Sequence, residues 1–167
     1  MSPAPSGALG ALEASGLGQA MRHWLWLYPS VEIVHIVGIG LLLGSIAVLD
    51  LRLLGLSRSI PAKRLASHVL PWSAGSFLLI IPSGLLMFTA HATEFIDSPV
   101  FVLKMGLILA AGVNAALFHT ITFRTADVWD SVEMRKLPPP PSARAAGALS
   151  LLLWISVIAC GRLLAYF

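Results

Sequence analysis

Apolar residues along this chain do not alternate with polar ones; they run on. Four stretches, 31–56, 68–90, 99–121 and 143–166, are almost continuously apolar, and turn formers or charges bound each of them. A hydrocarbon core of ~30 Å needs about 20 apolar residues in a helix. A helix also satisfies its backbone polar groups internally, as a bilayer demands. Each stretch therefore predicts a transmembrane helix. The expected fold is all-α: an antiparallel bundle of four spans in a single integral membrane domain, 1–167, with the lipid bilayer as its first partner.

Ahead of the first span, residues 9–28 (LGALEASGLGQAMRHWLWLY) behave differently. They are too polar and too broken by glycine to cross. Leu9, Leu12, Leu17, Met21, Leu25 and Tyr28 keep rough helical spacing, and Trp24, Trp26 and Tyr28 cluster beside the first span. This predicts an amphipathic helix lying on the membrane surface and a turn at Pro29-Ser30. The opening MSPAPSGALG has no basic start and no short apolar run with a cleavage site, so it does not predict a secretory signal.

Local signals mark the helix limits. Ser59 with Pro61, Ser98-Pro99 and Ser142 suit the starts of spans two, three and four. Pro71 and Pro82 predict kinks in the second span. The third helix is expected to continue through 123–136, and the proline run 138–141 to follow as a stiff linker. Gly40 and Gly44, and the small face Ala111, Gly112, Ala115 and Ala116, predict close helix packing.

Composition agrees with this picture, at 57% hydrophobic and 11% charged residues. Charge placement adds orientation. Eight of the eleven Lys/Arg, namely Arg52, Arg58, Lys63, Arg64, Arg124, Arg135, Lys136 and Arg144, flank the two connections on one side. By the positive-inside rule that side is cytoplasmic and both termini are periplasmic or extracellular. The net charge of +3 is thus explained by topology and does not point to nucleic acid. The lone Cys160 lies inside the fourth span and reads as a small apolar thiol. There is no Walker loop, nucleophile elbow or HExxH.

What remains is a set of ionisable groups inside the spans, where they are costly and mark function. His68 and His119 each lie about three residues inside the cytoplasmic end of spans two and three. Gly75 and Gly112 stand seven residues deeper on the same faces. Paired imidazoles at equal depth, with glycines beyond them, suit axial ligation of a haem b held between two helices. Arg64 or Arg124 would neutralise its propionates. At the outer side Glu32 and His35 share one helical face, Lys104 lies at similar depth, and Arg162 is near the outer end of span four. His91, with Gly84 seven residues below it, is shallower. This group reads as a proton-handling cluster, a metal or anion site, an outer haem pocket with His35 and His91 as ligands, or an ion-pair network. Asp50 follows Glu32 by eighteen residues, five turns, and is expected to pair with Arg52, Arg124 or His119. Asn114 is expected to bond across helices; it lies about 140° from His119 on an ideal helix.

The stretches LWLYPSVEIVHIVGIGLLLGSIAVLDLRLLGL (25–56), PWSAGSFLLIIPSGLLMF (71–88) and FVLKMGLILAAGVNAALFH (101–119) resemble a family of uncharacterised small bacterial inner-membrane proteins. In span number and intramembrane histidines the chain is also similar to cytochrome b561-like and copper-resistance-D-like membrane proteins. The first resemblance implies a bacterial inner-membrane location. The second implies electron transfer, and the preferred expectation is a b-type haem carrier or the membrane anchor of a redox partner. Two other readings stay open. One is a non-redox structural or assembly protein whose polar residues only lock helices together; a redox partner or a second copy of the chain is the partner expected besides lipid. The other is a small proton-coupled transporter using Glu32, His35, Lys104 and Asp50.

Overall fold

The structure, a computed structural model, describes residues 7–164. Residues 1–6 and 165–167, with the end of the fourth apolar run, lie outside the described residues, as does the side chain of Arg135. The elements are helical: α1 (Ala8–Glu13), α2 (Gly16–His23), α3 (Leu27–Leu54), α4 (Ala62–Ala90), α5 (Ala92–Asp97), α6 (Pro99–Leu117), α7 (Ala126–Trp129) and α8 (Pro141–Leu163). Between α6 and α7 the chain makes a π-helical turn at Phe118–Thr122 and a 3-10 turn at Phe123–Thr125. α3, α4, α6 with its extension, and α8 are each long and apolar enough to cross a membrane. Their outer faces carry large apolar side chains, such as Leu78 at 78% and Leu109 at 70% exposure. A bilayer is the environment that accommodates such surfaces.

The helix ends mostly follow the sequence signals. Ser98 precedes α6 and Pro99 occupies its first turn. Gly55 closes α3 in the left-handed region at φ 107°, where a side chain is disfavoured. α4 starts one residue after Pro61 and runs unbroken through Pro71 and Pro82. Three expectations need correction. The 9–28 segment is two short helices, α1 and α2, because Ser15 interrupts it and caps α2 by accepting from Gly18 N at 3.2 Å. Pro29-Ser30 does not turn the chain; it lies inside the first turn of α3, where a missing N–H costs nothing. The third helix continues, through the π-helical and 3-10 turns, as far as Trp129 but not to 136.

α3 is the hub of the bundle. It packs along α4 and against α8, and α6 packs against α8. Glycine sets close approaches of α3 to each of these two neighbours. A Cβ on Gly38 would lie 2.8 Å from Ile80 Cγ1, and one on Gly147 would lie 3.0 Å from the Asp50 carbonyl oxygen. Gly40 and Gly44, by contrast, face open space and take no part in packing within the chain. α4 and α6, though consecutive spans, are not zipped together along their length. At one end Phe88, Phe95 and Phe101 stack and join α4, α5 and α6. At the other, which carries the basic turn 55–61 and the 118–140 segment and is called the basic end here, Leu49, Leu53, Ala66, Phe118 and Ala143 form a buried cluster. Between these two closures the α4–α6 seam opens.

Candidate functional site

The open seam leads into a cavity of about 280 Å³ enclosed by α3, α4, α6 and α8. Most of its wall is apolar, with Leu42, Leu49, Phe77, Phe118 and Trp154 among the lining residues. Into this wall α3 brings Asp50, α6 brings Asn114, the π-helical turn brings His119, and α8 brings Ser150. Asp50 is 5% exposed. Ser150 lies beside its carboxyl, and Oδ2 is buried with no hydrogen-bond partner among the described residues. Asn114 Nδ2 donates to the Ala146 carbonyl at 3.0 Å, as a polar amide inside a bundle is expected to do. Ser45 and Ser73 hydrogen-bond to each other at 2.8 Å in the same wall.

The sequence separates Asn114 from His119 by face, yet both reach this cavity. The wall takes a broad arc of this helix: Gly112, which shares the His119 face, also lines it, so ordinary α spacing already brings both side chains to the cavity. Arg52 does not pair with Asp50. Two residues along a helix is about 200°, so Arg52 leaves the cavity side and meets Asp130 at 2.8 Å.

The opposite end of the bundle holds the second polar group. The His35 ring lies between α3 and α4, with Nδ1 3.1 Å from the Ile80 carbonyl and 2.9 Å from Ser83 Oγ. Ser83 in turn donates to the Leu79 carbonyl. Gly84 makes room for this ring, because a Cβ there would lie 3.1 Å from His35 Cε1. Lys104 is half-buried and carries its Nζ to Gly161 on α8. Both Lys104 and Glu32 lie close enough for their charges to act on His35. No ion pair joins Glu32 to Lys104 among the described residues. Glu32 and Arg162 are exposed. His91 sits between α4 and α5, 3.2 Å from Glu94 Oε2 and edge-on to Tyr28 and Phe95.

A haem b between His68 and His119 requires both imidazoles to enter one crevice. Each ring is oriented suitably in one respect: Nδ1 lies 2.8 Å from the carbonyl four residues back, Arg64 for His68 and Ala115 for His119, which leaves Nε2 open. The faces do not match, however. His68 is exposed and absent from the cavity wall, and it stands about 180° around α4 from the wall residue Phe77. Gly75 shares that outward face, whereas Gly112 lines the cavity. The two histidines therefore do not fit axial ligation of one haem. Neither do His35 and His91, because the space over Gly84 is filled by the His35 ring itself.

Sequence reasoning missed the polar contacts that fix the ends. Asp130 accepts from Arg52 Nη2 at 2.8 Å and from Ala62 N, at the start of α4, at 2.5 Å. Arg52 Nε also donates to the Ile60 carbonyl at 2.7 Å. At the other end, Glu13 Oε1 accepts from Thr93 N at 2.7 Å, and Arg22 lies 3.9 Å from Oε2. The Thr93 bonds hold the Glu13 carboxyl below its ordinary range; burial opposes this and the Arg22 charge assists it. The signal available for Glu13 was its position as the lone acid of an otherwise apolar helix. Asp130 carried none, since its partners are remote in sequence.

With the fold and these groups in view, comparison places the chain. A model of the family of unknown function DUF6644 matches residues 11–167, so the chain belongs to that family. No curated protein and no solved structure matches it.

Proposed function

We propose that this member of the family is a small proton-handling protein of a bacterial inner membrane, working through the Asp50 carboxyl, with its basic end in the cytoplasm and both termini outside. The observation that carries this reading is Asp50 Oδ2, buried in the cavity wall without a hydrogen-bond partner. An ionised carboxylate is costly in such surroundings unless a counter-charge joins it. The carboxyl is therefore a group that a proton or a cation must visit. Ionisable residues inside spans are rare and mark ion and proton pathways. His119 is the second ionisable side chain in the wall. His119 lies toward the basic end and supplies a route between Asp50 and that surface. The His35, Glu32 and Lys104 group at the opposite end is the counterpart from which a proton would enter or leave.

Infrared difference spectroscopy of the purified protein tests this. A carboxylic C=O band that titrates with pH, vanishes in Asp50→Asn and moves in His119→Gln is the expected result. If no band of the folded protein responds to Asp50→Asn at any pH across the neutral range, Asp50 does not exchange protons and the reading fails.

A further inference from the structure

We infer that the Asp50 cavity binds a small lipophilic monocation, an ammonium group on an apolar body, in exchange for a proton. The inference rests on the proton-handling reading and adds the class of ligand. Three features lead to it. First, the one acidic group in the wall, Asp50, has a buried oxygen, Oδ2, that finds no hydrogen-bond partner among the described residues. Second, the wall around it is apolar and includes the aromatic residues Phe77, Phe118 and Trp154. A carboxylate among aromatic rings is the chemistry that recognises ammonium groups, whereas a small hydrated metal ion would need several oxygen ligands. No group of three or more metal-ligating side chains exists among the described residues. Third, the volume of about 280 Å³ lies at the lower end of small-molecule pockets, ~300–1,000 Å³.

The route in is the seam between α4 and α6. Gly112 stands on it, and a Cβ there would touch nothing within 4 Å. Phe77 and Gly112 on its flanks are exposed, so an apolar cation would approach the wall from the bilayer side. Among the lining residues only Asp50 and His119 titrate; α4 and α8 present none. The exchange balances. One monocation arrives, one proton leaves the carboxyl for water, and the net charge of the site is unchanged. Raised pH favours the cation and lowered pH displaces it.

The test is calorimetric titration of the full-length detergent-purified protein with benzyltrimethylammonium, in two buffers of different ionisation enthalpy. Saturable binding with release of close to one proton per cation is expected. Asp50→Asn should weaken it about tenfold or more. Gly112→Leu, which fills the open wall without touching the acid, should also weaken it and leave the Asp50 infrared band in place. Neopentylbenzene, the uncharged twin of the probe, should not compete. Equal binding by Asp50→Asn, or equal competition by the uncharged twin, overturns the inference. Absence of binding while the Asp50 band still titrates overturns it and leaves the proton-handling reading standing. Absence of both ends the two together. If Asp50→Asn does not fold, Gly112→Leu decides, and unaltered binding there overturns the inference.

Discussion

Arg52 on α3 and Asp130 after α7 form a nearly fully buried ion pair at 2.8 Å, across 78 positions of sequence. The same carboxylate accepts from Ala62 N at the start of α4. One aspartate thus ties together the end of the first span, the start of the second and the segment that follows the third. It closes the basic end of the bundle below the Asp50 cavity.

Removing one partner of a buried pair leaves the other uncompensated, at about 3–5 kcal/mol. Asp130→Ala is therefore expected to destabilise the protein more than any exposed charge change, and Arg52→Met nearly as much. The double variant should cost less than the two singles added together. Unfolding in detergent with a double-mutant cycle measures this, and additive costs would show that the pair is not coupled.

Glycines with the same sequence appearance should differ sharply. A Cβ on Gly18 would lie within 3 Å of the Glu13, Thr89 and Leu12 carbonyl oxygens. Gly18→Ala should displace α2 and cost about 1–3 kcal/mol, the usual range for overpacking. Gly40→Ala meets nothing within 4 Å and should be neutral or gain up to about 1 kcal/mol from helix propensity. Thermal unfolding of the two variants side by side provides the comparison.

Docking of α1 and α2 should depend on acid. In the folded protein the Glu13 carboxyl is held below its ordinary range, chiefly because the Thr93 N–H bond favours its carboxylate. A carboxyl depressed in the folded state stabilises above its unfolded value, and that contribution is lost as pH falls through the depressed one. Protection of residues 8–23 against hydrogen exchange, relative to the intrinsic rate at each pH, should be high at neutral pH and fall in this acidic window. Glu13→Gln should already show the faster exchange at neutral pH; identical exchange in variant and wild type would remove Glu13 from the docking.

The separation of His68 from His119 by helix face leads to a colourless protein. Purified from haem-replete cells it should show no Soret band, and His68→Ala should leave its spectrum and stability unchanged. A Soret band lost in both His68→Ala and His119→Ala would reinstate the electron carrier and require α4 to turn.

Orientation is open to direct measurement as well. Reporters fused in the 55–61 turn and at the C-terminus should report opposite sides, with the turn cytoplasmic, since eight of eleven basic residues flank that side. A cytoplasmic C-terminus would reverse the bundle and exchange the two sides of the Asp50 and His35 groups.

The chain's own pattern was enough for the four spans, their approximate limits, the Ser98-Pro99 start and the all-α class. Each is a local property: a helix in lipid needs only a run of apolar residues and satisfied ends. The residues that carry chemistry were visible for the same reason, because Asp50, Asn114, His35 and Lys104 stand out against apolar neighbours. Which of them meet was decided by the tertiary structure. Whether Gly38 or Gly40 packs, whether His68 faces inward, and whether Arg52 reaches Asp50 or Asp130 all depend on the rotation of each helix against its neighbours. In spans apolar on nearly every side, the sequence leaves that rotation undetermined. The cavity wall takes a broad arc of α6 and its extension, wide enough to hold Asn114 and His119 together although an ideal helix sets them about 140° apart, and only the packed bundle shows how broad that arc is. Composition placed the costly side chains in the apolar spans; helix rotation chose their partners and left Oδ2 of Asp50 without one among the described residues.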